Sequence, residues 1–224
     1  MKVCVYTAVY GGHDDLKDLP AQNVPTDFVC FTYSSDLCAP AGWHIIRNNR
    51  VSGLHPRMRA KYFKILSHRI FPNGRPSLRE TGLFGMRRVC DRYDYLIWLD
   101  GNAQIQDAEF SRKVISCVGA SGWAMFPHPE RECIYDEVVQ SATMRKYQTQ
   151  PIHKQAESYR TEGYPAKNGL MACGLIARQA RADRADINEM WWRENRRWTY
   201  QDQLSLPVVL WRLGRGFDRI EKNL

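Results

Sequence analysis

The stretch Tyr95-Leu96-Ile97-Trp98-Leu99-Asp100-Gly101-Asn102 decides the fold. Its first five residues are aromatic or aliphatic and predict a buried strand, which the polar residues after it end abruptly. In open α/β sheets, ligands bind outside the carboxyl ends of the strands. Asp100 and Asn102 therefore offer two oxygen ligands that suit Mg²⁺ or Mn²⁺ together with substrate phosphates. The same residues also fit an Asp-Gly turn in which Asp100 only caps the next element.

The remaining elements alternate between strands and helices. Short β-branched and aromatic runs predict strands at 3–10, 28–32, 43–46, 123–126 and 170–177. Helical periodicity predicts helices at 57–70, 110–118, 134–147 and 200–213. This order predicts an α/β fold with a single mixed, mostly parallel central sheet flanked by helices, in one domain spanning residues 1–224.

The composition is that of an ordinary globular protein, with 44% hydrophobic and 25% charged residues. No run approaches the roughly 18 apolar residues that a membrane-spanning helix needs, and the first residues contain no signal-peptide core. The seven cysteines include no closely spaced pair of the kind that zinc sites use. We therefore expect a cytoplasmic protein with reduced thiols.

The charge is positive, because 32 lysines and arginines face 24 aspartates and glutamates, a net charge of +8. Such a charge favours anionic partners, including nucleotides, nucleic acid and an acidic membrane surface. A basic nucleic-acid-binding module is one alternative, with Trp191, Trp192 and Trp198 as stacking candidates. The chain has no arginine-rich tract or nucleic-acid-binding motif, so nucleic acid is the less favoured partner.

A stripe of basic residues borders the apolar face of the helix predicted after Pro56. Its members are Arg57, Lys61, Lys64 and His68, at steps of four, three and four residues. Cations beside a buried face suit phosphate binding, by arginine in a bidentate manner and by lysine as a point charge. The alternative is a solvated helix face, which is a common pattern.

Two further segments carry titratable residues. In the segment 126–137, His128 lies between two prolines and Glu137 follows within the next helix. These residues fit acid–base chemistry, or simply a turn histidine and a helix-start acid. Asp202 follows Thr199 by three residues, which resembles a capping box, and a carboxylate there could also deprotonate a sugar hydroxyl.

Five blocks together resemble a known family. They are residues 7–16, 59–66, 97–101, 128–137 and 202–205, in the family's order. The chain is similar over roughly residues 3 to 210 to the glycosyltransferase-like family that includes plant proteins of turgor regulation and seed-mucilage synthesis and many bacterial members. That family is similar in turn to glycosyltransferases of the GT-A fold.

The resemblance implies a site for a nucleotide-sugar donor. Asp100 falls on the first acid of the family's Asp-x-Asp metal motif and Asn102 on the second, and residues Thr7, Ala8, Val9 and Tyr10 fall on the nucleotide-contacting strand end. Since Asn102 is not a carboxylate, a metal-independent enzyme is an alternative, and it would shift neutralisation of the diphosphate onto Arg57, Lys61 and Lys64.

The resemblance also implies residues for the acceptor and the reaction. Asp202 falls on the helix-start acid near the acceptor and is our first candidate for a base in an inverting reaction, with Glu137 second. His128 joins them as a catalytic candidate. Substrate contacts are expected from His128, Arg131 and Gln203.

The function implied is transfer of a hexosyl-type sugar from a nucleotide-diphosphate donor to a hydroxyl of a glycan or lipid-linked acceptor. We expect this reaction in surface polysaccharide synthesis, with Mn²⁺ or Mg²⁺ as cofactor. The expected place is the cytoplasm, with peripheral contact to the acidic inner face of the membrane. Two alternatives are the nucleic-acid-binding module and a non-catalytic relative that binds nucleotide sugars, because Asn102 weakens the metal site.

Overall fold

The computed structural model describes residues 1–12, 14–49, 51–77, 92–182 and 184–221. Its strands are β1 (Val3–Ala8), β2 (Thr26–Thr32), β3 (Trp43–Arg47), β4 (Tyr95–Leu99), β5 (Trp123–Pro127), β6 (Met171–Gln179) and β7 (Asp218–Arg219). Its helices are α1 (Pro56–Ile65), α2 (Ser67–Ile70), α3 (Phe110–Ser116), α4 (Ile134–Ala142), α5 (Ile152–Thr161), α6 (Ala185–Arg197) and α7 (Asp202–Leu213). Two short 3₁₀ turns occupy Pro72–Gly74 and Arg145–Tyr147.

The described strands form one sheet in the order β3-β2-β1-β4-β6-β5-β7. Strands β3, β2, β1 and β4 run parallel to one another, and β7 is parallel to β5. Strand β6 runs antiparallel to both β4 and β5, so the carboxyl ends of β4 and β5 meet at the same edge. The predicted mixed, mostly parallel sheet flanked by helices is confirmed. The single domain over 1–224 stays a prediction.

Alternating side chains of the strands divide the core into two layers. In β1, Tyr6 and Ala8 belong to a large cluster that five long helices and α2 help to bury, while Val3 and Val5 belong to a smaller one that α3 covers. Helices on both faces explain why β1 is buried along its whole length, as is usual for parallel strands. Among the described helices, none has both the length and the apolar character needed to cross a membrane.

Several element boundaries differ from the sequence-based predictions. The helix expected over 57–70 breaks at Leu66, whose backbone leaves the helical conformation, and continues as α2. The helix expected over 134–147 ends at Ala142, and the last helix begins at Asp202 rather than at residue 200.

The sequence analysis missed α5 and α6, although each carries an apolar stripe that packs into the core. In α6 the buried stripe includes Ile187 and Trp191, but it is narrow and is surrounded by charged residues. The side of α6 that carries Trp191 is therefore part of the core, while its arginines Arg193, Arg196 and Arg197 are exposed.

Candidate active site

A crevice of about 290 Å³ opens at the carboxyl edge of the sheet, beside the ends of β1 and β4. The parallel pairing of Tyr6 with Trp98 brings the residues after β1 and β4 to this edge together. We call this cavity the central crevice. The charged residues that line it are Arg57, Lys61, Lys64, Lys146, Asp14, Asp100 and Asp202.

Four of these residues form one ion-paired group, which we call the Lys–Asp cluster: Lys61, Lys64, Asp100 and Asp202. The two lysines are one turn apart on α1, so they project on the same side of the helix. Their Nζ atoms lie 2.6 Å (Lys61) and 2.7 Å (Lys64) from Oδ2 of Asp202. Nζ of Lys64 also lies 3.4 Å from Oδ1 of Asp100 and thereby joins the two acids.

Burial and ion pairing together set the charges in this cluster. Burial alone would raise the pKa of Asp202, but the ion pairs with Lys61 and Lys64 outweigh it and lower that pKa to about 2. Burial opposes the charge of Lys64, yet Asp100 and Asp202 raise its pKa above the ordinary value. For Lys61 burial dominates, and its pKa is lowered despite Asp202.

These contacts change the role expected for Asp202. It is the first residue of α7 and it lines the central crevice, as predicted, but its side chain is only 4% exposed and is held by two ammonium groups. A carboxylate with a pKa near 2 is a weak base at neutral pH. The capping box suggested by Thr199 and Asp202 is not formed, because Gln201 is the N-cap and Thr199 Oγ1 donates to Gln155 Oε1 at 2.7 Å.

The basic stripe of α1 is divided by the break at Leu66. Arg57, Lys61 and Lys64 line the central crevice, as their spacing predicted. His68, beyond the break, lies on α2, and its Nε2 is 2.9 Å from Glu189 Oε1. It therefore belongs to a different part of the surface.

Asp100 lies directly after β4, where the buried strand predicted it. Its Oδ1 accepts a hydrogen bond from Trp98 Nε1 at 2.7 Å, and its side chain is 45% exposed to the crevice. Its backbone N–H donates to the carbonyl of Gly174 at 2.9 Å, which ties the turn to β6. A Cβ on Gly101 would lie 3.1 Å from Val9 Cγ2 and 3.2 Å from Asp14 Cβ, so glycine permits the close approach of these loops.

The oxygen atoms at this turn fit part of a divalent cation's shell. Asp100 and the exposed Asn102 both line the crevice. Asp14 lines it too and lies close to Gly101, the residue between Asp100 and Asn102 in the chain. Carboxylate and amide oxygens are the ligands that Mg²⁺ accepts, usually together with substrate phosphates. Within the described ranges, no three histidine, cysteine, aspartate or glutamate side chains are grouped closely enough to hold a metal on their own.

The residues predicted at the end of β1 divide between two sides of the sheet. Ala8 and Tyr10 line the central crevice, whereas Thr7 and Val9 are not among its lining residues and are buried. Successive side chains in an extended chain point to opposite faces, so only alternate residues reach the crevice. Of the predicted nucleotide contacts, Thr7 and Val9 are therefore placed away from it.

His128, Arg131 and Glu137 lie outside the central crevice. His128 Nδ1 accepts the backbone N–H groups of Glu130 and Arg131 at 3.2 and 3.1 Å, which stabilises the loop. Arg131 Nε donates to Glu137 Oε2 at 2.7 Å, and the Glu137 side chain is 2% exposed. Burial and Arg131 lower the pKa of His128. These contacts favour a loop-stabilising role over the predicted catalytic and substrate-binding roles.

Gln203 reaches the crevice, as predicted, and its Nε2 donates to the carbonyl of Met171 at 3.2 Å. Its neighbour Gln201, which the sequence analysis did not select, also lines the crevice. Gln201 Nε2 donates to Glu137 Oε1 at 2.9 Å, and its Oε1 accepts from Tyr147 Oη at 3.0 Å. Glu137 thus contacts the site through Gln201.

Other crevice residues were also missed from the sequence, namely Asp14, Lys146, Tyr147, Cys173, Gly174 and Tyr200. Asp14 lies in the first of the five resembling blocks, so it could have been selected there. Lys146 and Tyr147 carry no local pattern, because the turn after α4 brings them to the crevice only in the folded chain.

Comparisons with known proteins support the family expected from the five blocks. A family model described as "TOD1/MUCI70, glycosyltransferase-like domain" matches residues 83–222. A search of curated proteins found no match. Among solved structures, mouse xyloside xylosyltransferase 1 in its apo form is similar with a TM-score of 0.41 and 8% identity, over 95% of this chain and 81% of that chain. Because the family model matches 140 of the 224 residues, the chain belongs to the TOD1/MUCI70 glycosyltransferase-like domain family.

Proposed function

We propose that this chain transfers a sugar from a nucleotide-diphosphate donor to an acceptor hydroxyl, with the donor's diphosphate in the central crevice. The observation that carries the proposal is the Lys–Asp cluster at the carboxyl edge of the sheet, in a chain of a glycosyltransferase-like family. Ammonium groups held in place before the substrate arrives stabilise developing charge without reorganisation.

The charges of the crevice favour a diphosphate. Among the described residues, four cations and three carboxylates line it, and Asp202 fixes the positions of two of the cations. Arg57 and Lys146 also line it, and neither forms an ion pair with another described residue, so both are available to a phosphate. Departure of the diphosphate leaves negative charge on it, and these cations would lower the barrier by stabilising that charge.

A divalent cation is part of the proposal. Asp100 and Asn102 would hold it, with phosphate oxygens of the donor completing its coordination. When bound there, Mn²⁺ or Mg²⁺ would act as a Lewis acid on the diphosphate. Asp202 would then serve to position Lys61 and Lys64 rather than to remove the acceptor's proton.

A thermal-shift and calorimetry panel tests this function. We expect uridine or guanosine diphosphate, with Mn²⁺, to raise the melting temperature of the wild-type chain, because a ligand that binds only the folded state stabilises it. We expect the matching nucleotide sugar to be turned over when an acceptor is supplied. If no nucleoside diphosphate changes the melting temperature or gives a binding isotherm, with or without Mn²⁺, the donor site is not in this crevice.

The setting of the reaction is a further part of the proposal. We propose a glycan or lipid-linked acceptor in surface polysaccharide synthesis, with the chain in the cytoplasm and in peripheral contact with an acidic membrane. The net charge of +8 supports attraction to anionic lipid. Sedimentation with vesicles that contain or lack phosphatidylserine tests it, and equal sedimentation with both would contradict the membrane contact.

A further inference from the structure

A second cavity, which we call the apolar groove, lies on the other side of Asp100. It has a volume of about 730 Å³ and runs along the ends of β4 and β5 and the start of β6. Four residues line both the groove and the central crevice, namely Asp100, Asn102, Ala172 and Gly174. The turn that ends in Asn102 therefore forms a ridge between the two cavities.

The wall of the groove is largely hydrocarbon. Leu99, Ile105 and Leu175 are buried members of the smaller core cluster, and Phe110 and Phe126 pack against that cluster while remaining partly exposed. A cavity that exposes two phenyl rings beside buried aliphatic side chains is suited to an apolar ligand. The central crevice differs, because seven charged residues line it.

Two polar residues of the groove are already engaged by other parts of the chain. Gln104 Nε2 donates to the carbonyl of Asp18 at 2.9 Å, and Asp107 Oδ1 accepts the backbone N–H of Glu109 at 2.8 Å. Asp107 also forms an ion pair with Lys113. No lysine or arginine is among the described residues that line the groove. A chain of sugar units or a charged acceptor would find few hydrogen-bonding partners there.

We propose that the apolar groove binds an aliphatic chain attached to the acceptor, so that the acceptor of this enzyme is a lipid-linked hydroxyl compound. This inference rests on the proposed function, since it takes the donor's diphosphate to lie in the central crevice. A hydroxyl held at the ridge would face the donor across Asp100, while the chain attached to it lies in the groove. An aliphatic chain attached to the acceptor is favoured because the groove and the central crevice share four lining residues, so that one molecule could reach both cavities.

Binding of alkyl glycosides to the wild-type chain tests the groove directly. Octyl and methyl β-glucoside share one sugar and differ only in their chain, so calorimetry below the micelle concentration isolates the effect of the chain. We expect octyl glucoside to bind at least about tenfold more tightly, since each buried methylene is worth up to roughly fourfold in affinity. Equal binding of the two glucosides would overturn the proposal.

A pair of matched variants locates the site of binding. Phe126→Ala removes a ring from the groove, and Phe217→Ala removes a partly buried ring that packs against the other core cluster. We expect Phe126→Ala to reduce the preference for octyl glucoside to about twofold or less, and Phe217→Ala to retain it. Retention of the full preference in a folded Phe126→Ala chain would refute the groove as the site.

Nucleoside diphosphate binding, measured on the same preparations, separates this inference from the proposed function. If the nucleotide binds and the octyl preference is absent, the donor site stands and the aliphatic acceptor is wrong. If the octyl preference depends on Phe126 but no nucleotide binds, the groove binds aliphatic chains and the proposed reaction fails, and with it the role of the groove as an acceptor site.

Discussion

Replacing Lys64 with methionine tests whether the Lys–Asp cluster holds the donor's diphosphate. The Lys64 side chain is 2% exposed, and its Nζ lies 2.7 Å from Asp202 Oδ2 and 3.4 Å from Asp100 Oδ1. Methionine has a similar length and fills the same space without a charge. The substitution therefore removes one ammonium group and leaves the packing of α1 largely as it is.

Two effects of different size are expected. Removing one partner of a buried ion pair costs about 3–5 kcal/mol, and we expect about 3 kcal/mol of lost unfolding free energy because Lys61 still pairs with Asp202. A charge-assisted contact to a phosphate is worth about 1.5–3 kcal/mol, so the Kd of the nucleoside diphosphate should rise about tenfold to a hundredfold.

The double variant Lys64→Met/Asp202→Asn separates these effects. Its Asp202→Asn change also takes the carboxylate from Lys61, so we expect it to be less stable than Lys64→Met, while its Kd for the nucleoside diphosphate stays close to that of Lys64→Met because the same ammonium group is absent. Lys154→Met is the matched control, because Lys154 is exposed on α5 and outside the central crevice. Calorimetric Kd values and denaturant melts on all four proteins give the two quantities. An unchanged Kd in Lys64→Met, or a Kd that rises in step with the lost stability from Lys64→Met to the double variant, would refute the reasoning.

Three further outcomes follow from the same site. Asp100→Asn removes the charge but keeps an acceptor for Trp98 Nε1, so sugar transfer should be lost while the melting temperature changes by only a few degrees. Equal loss of fold and activity would indicate that Asp100 is a structural residue. Since the folded pKa of Asp202 is about 2, below its ordinary 3.8, its ion pairs contribute roughly 2 kcal/mol of stability above about pH 4, which is lost as the pH falls toward 2. Acid melts should show this loss in the wild type and much less of it in Asp202→Asn. A Cβ on Gly174 would lie 3.4 Å from Asp100 Oδ2, an ordinary van der Waals contact, so Gly174→Ala should fold normally. Its added methyl group would lie against that carboxylate oxygen, so donor binding measured with and without Mn²⁺ should show a smaller effect of the metal than in the wild type. An identical Mn²⁺ effect in both proteins would place the cation elsewhere.

The sequence predicted those parts of the site that depend on local periodicity. The run Tyr95–Leu99 is apolar throughout, so its end at Asp100 and the sheet around it followed from the pattern of residues. The spacing of Lys61 and Lys64 likewise placed them beside the buried face of α1, where they line the crevice.

The contacts between distant segments could not be predicted in this way. That Asp202 pairs with both lysines depends on how the start of α7 meets α1, and no local pattern records this. The same holds for Glu137, whose partners Arg131 and Gln201 bury it behind the crevice. A titratable residue was therefore a less reliable indicator of a catalytic role than the end of a buried strand was of the site's position, because the partners of a titratable residue decide its chemistry.

The charge balance of the Lys–Asp cluster bears on the proposed divalent cation. Two lysines and two aspartates make the cluster itself electrically neutral, so the proposed attraction for a diphosphate would come from the direction of its N–H groups rather than from net charge. The surplus positive charge of the crevice comes from Arg57 and Lys146, and Asp14 offsets part of it. A divalent cation on Asp100 would add two positive charges beside the same diphosphate, more than the net charge of the lining residues that the structure describes. Because the side chain of Asn102 is neutral, the protein would neutralise that added charge less than two carboxylates would, and we propose that the metal is held mainly while the donor is bound.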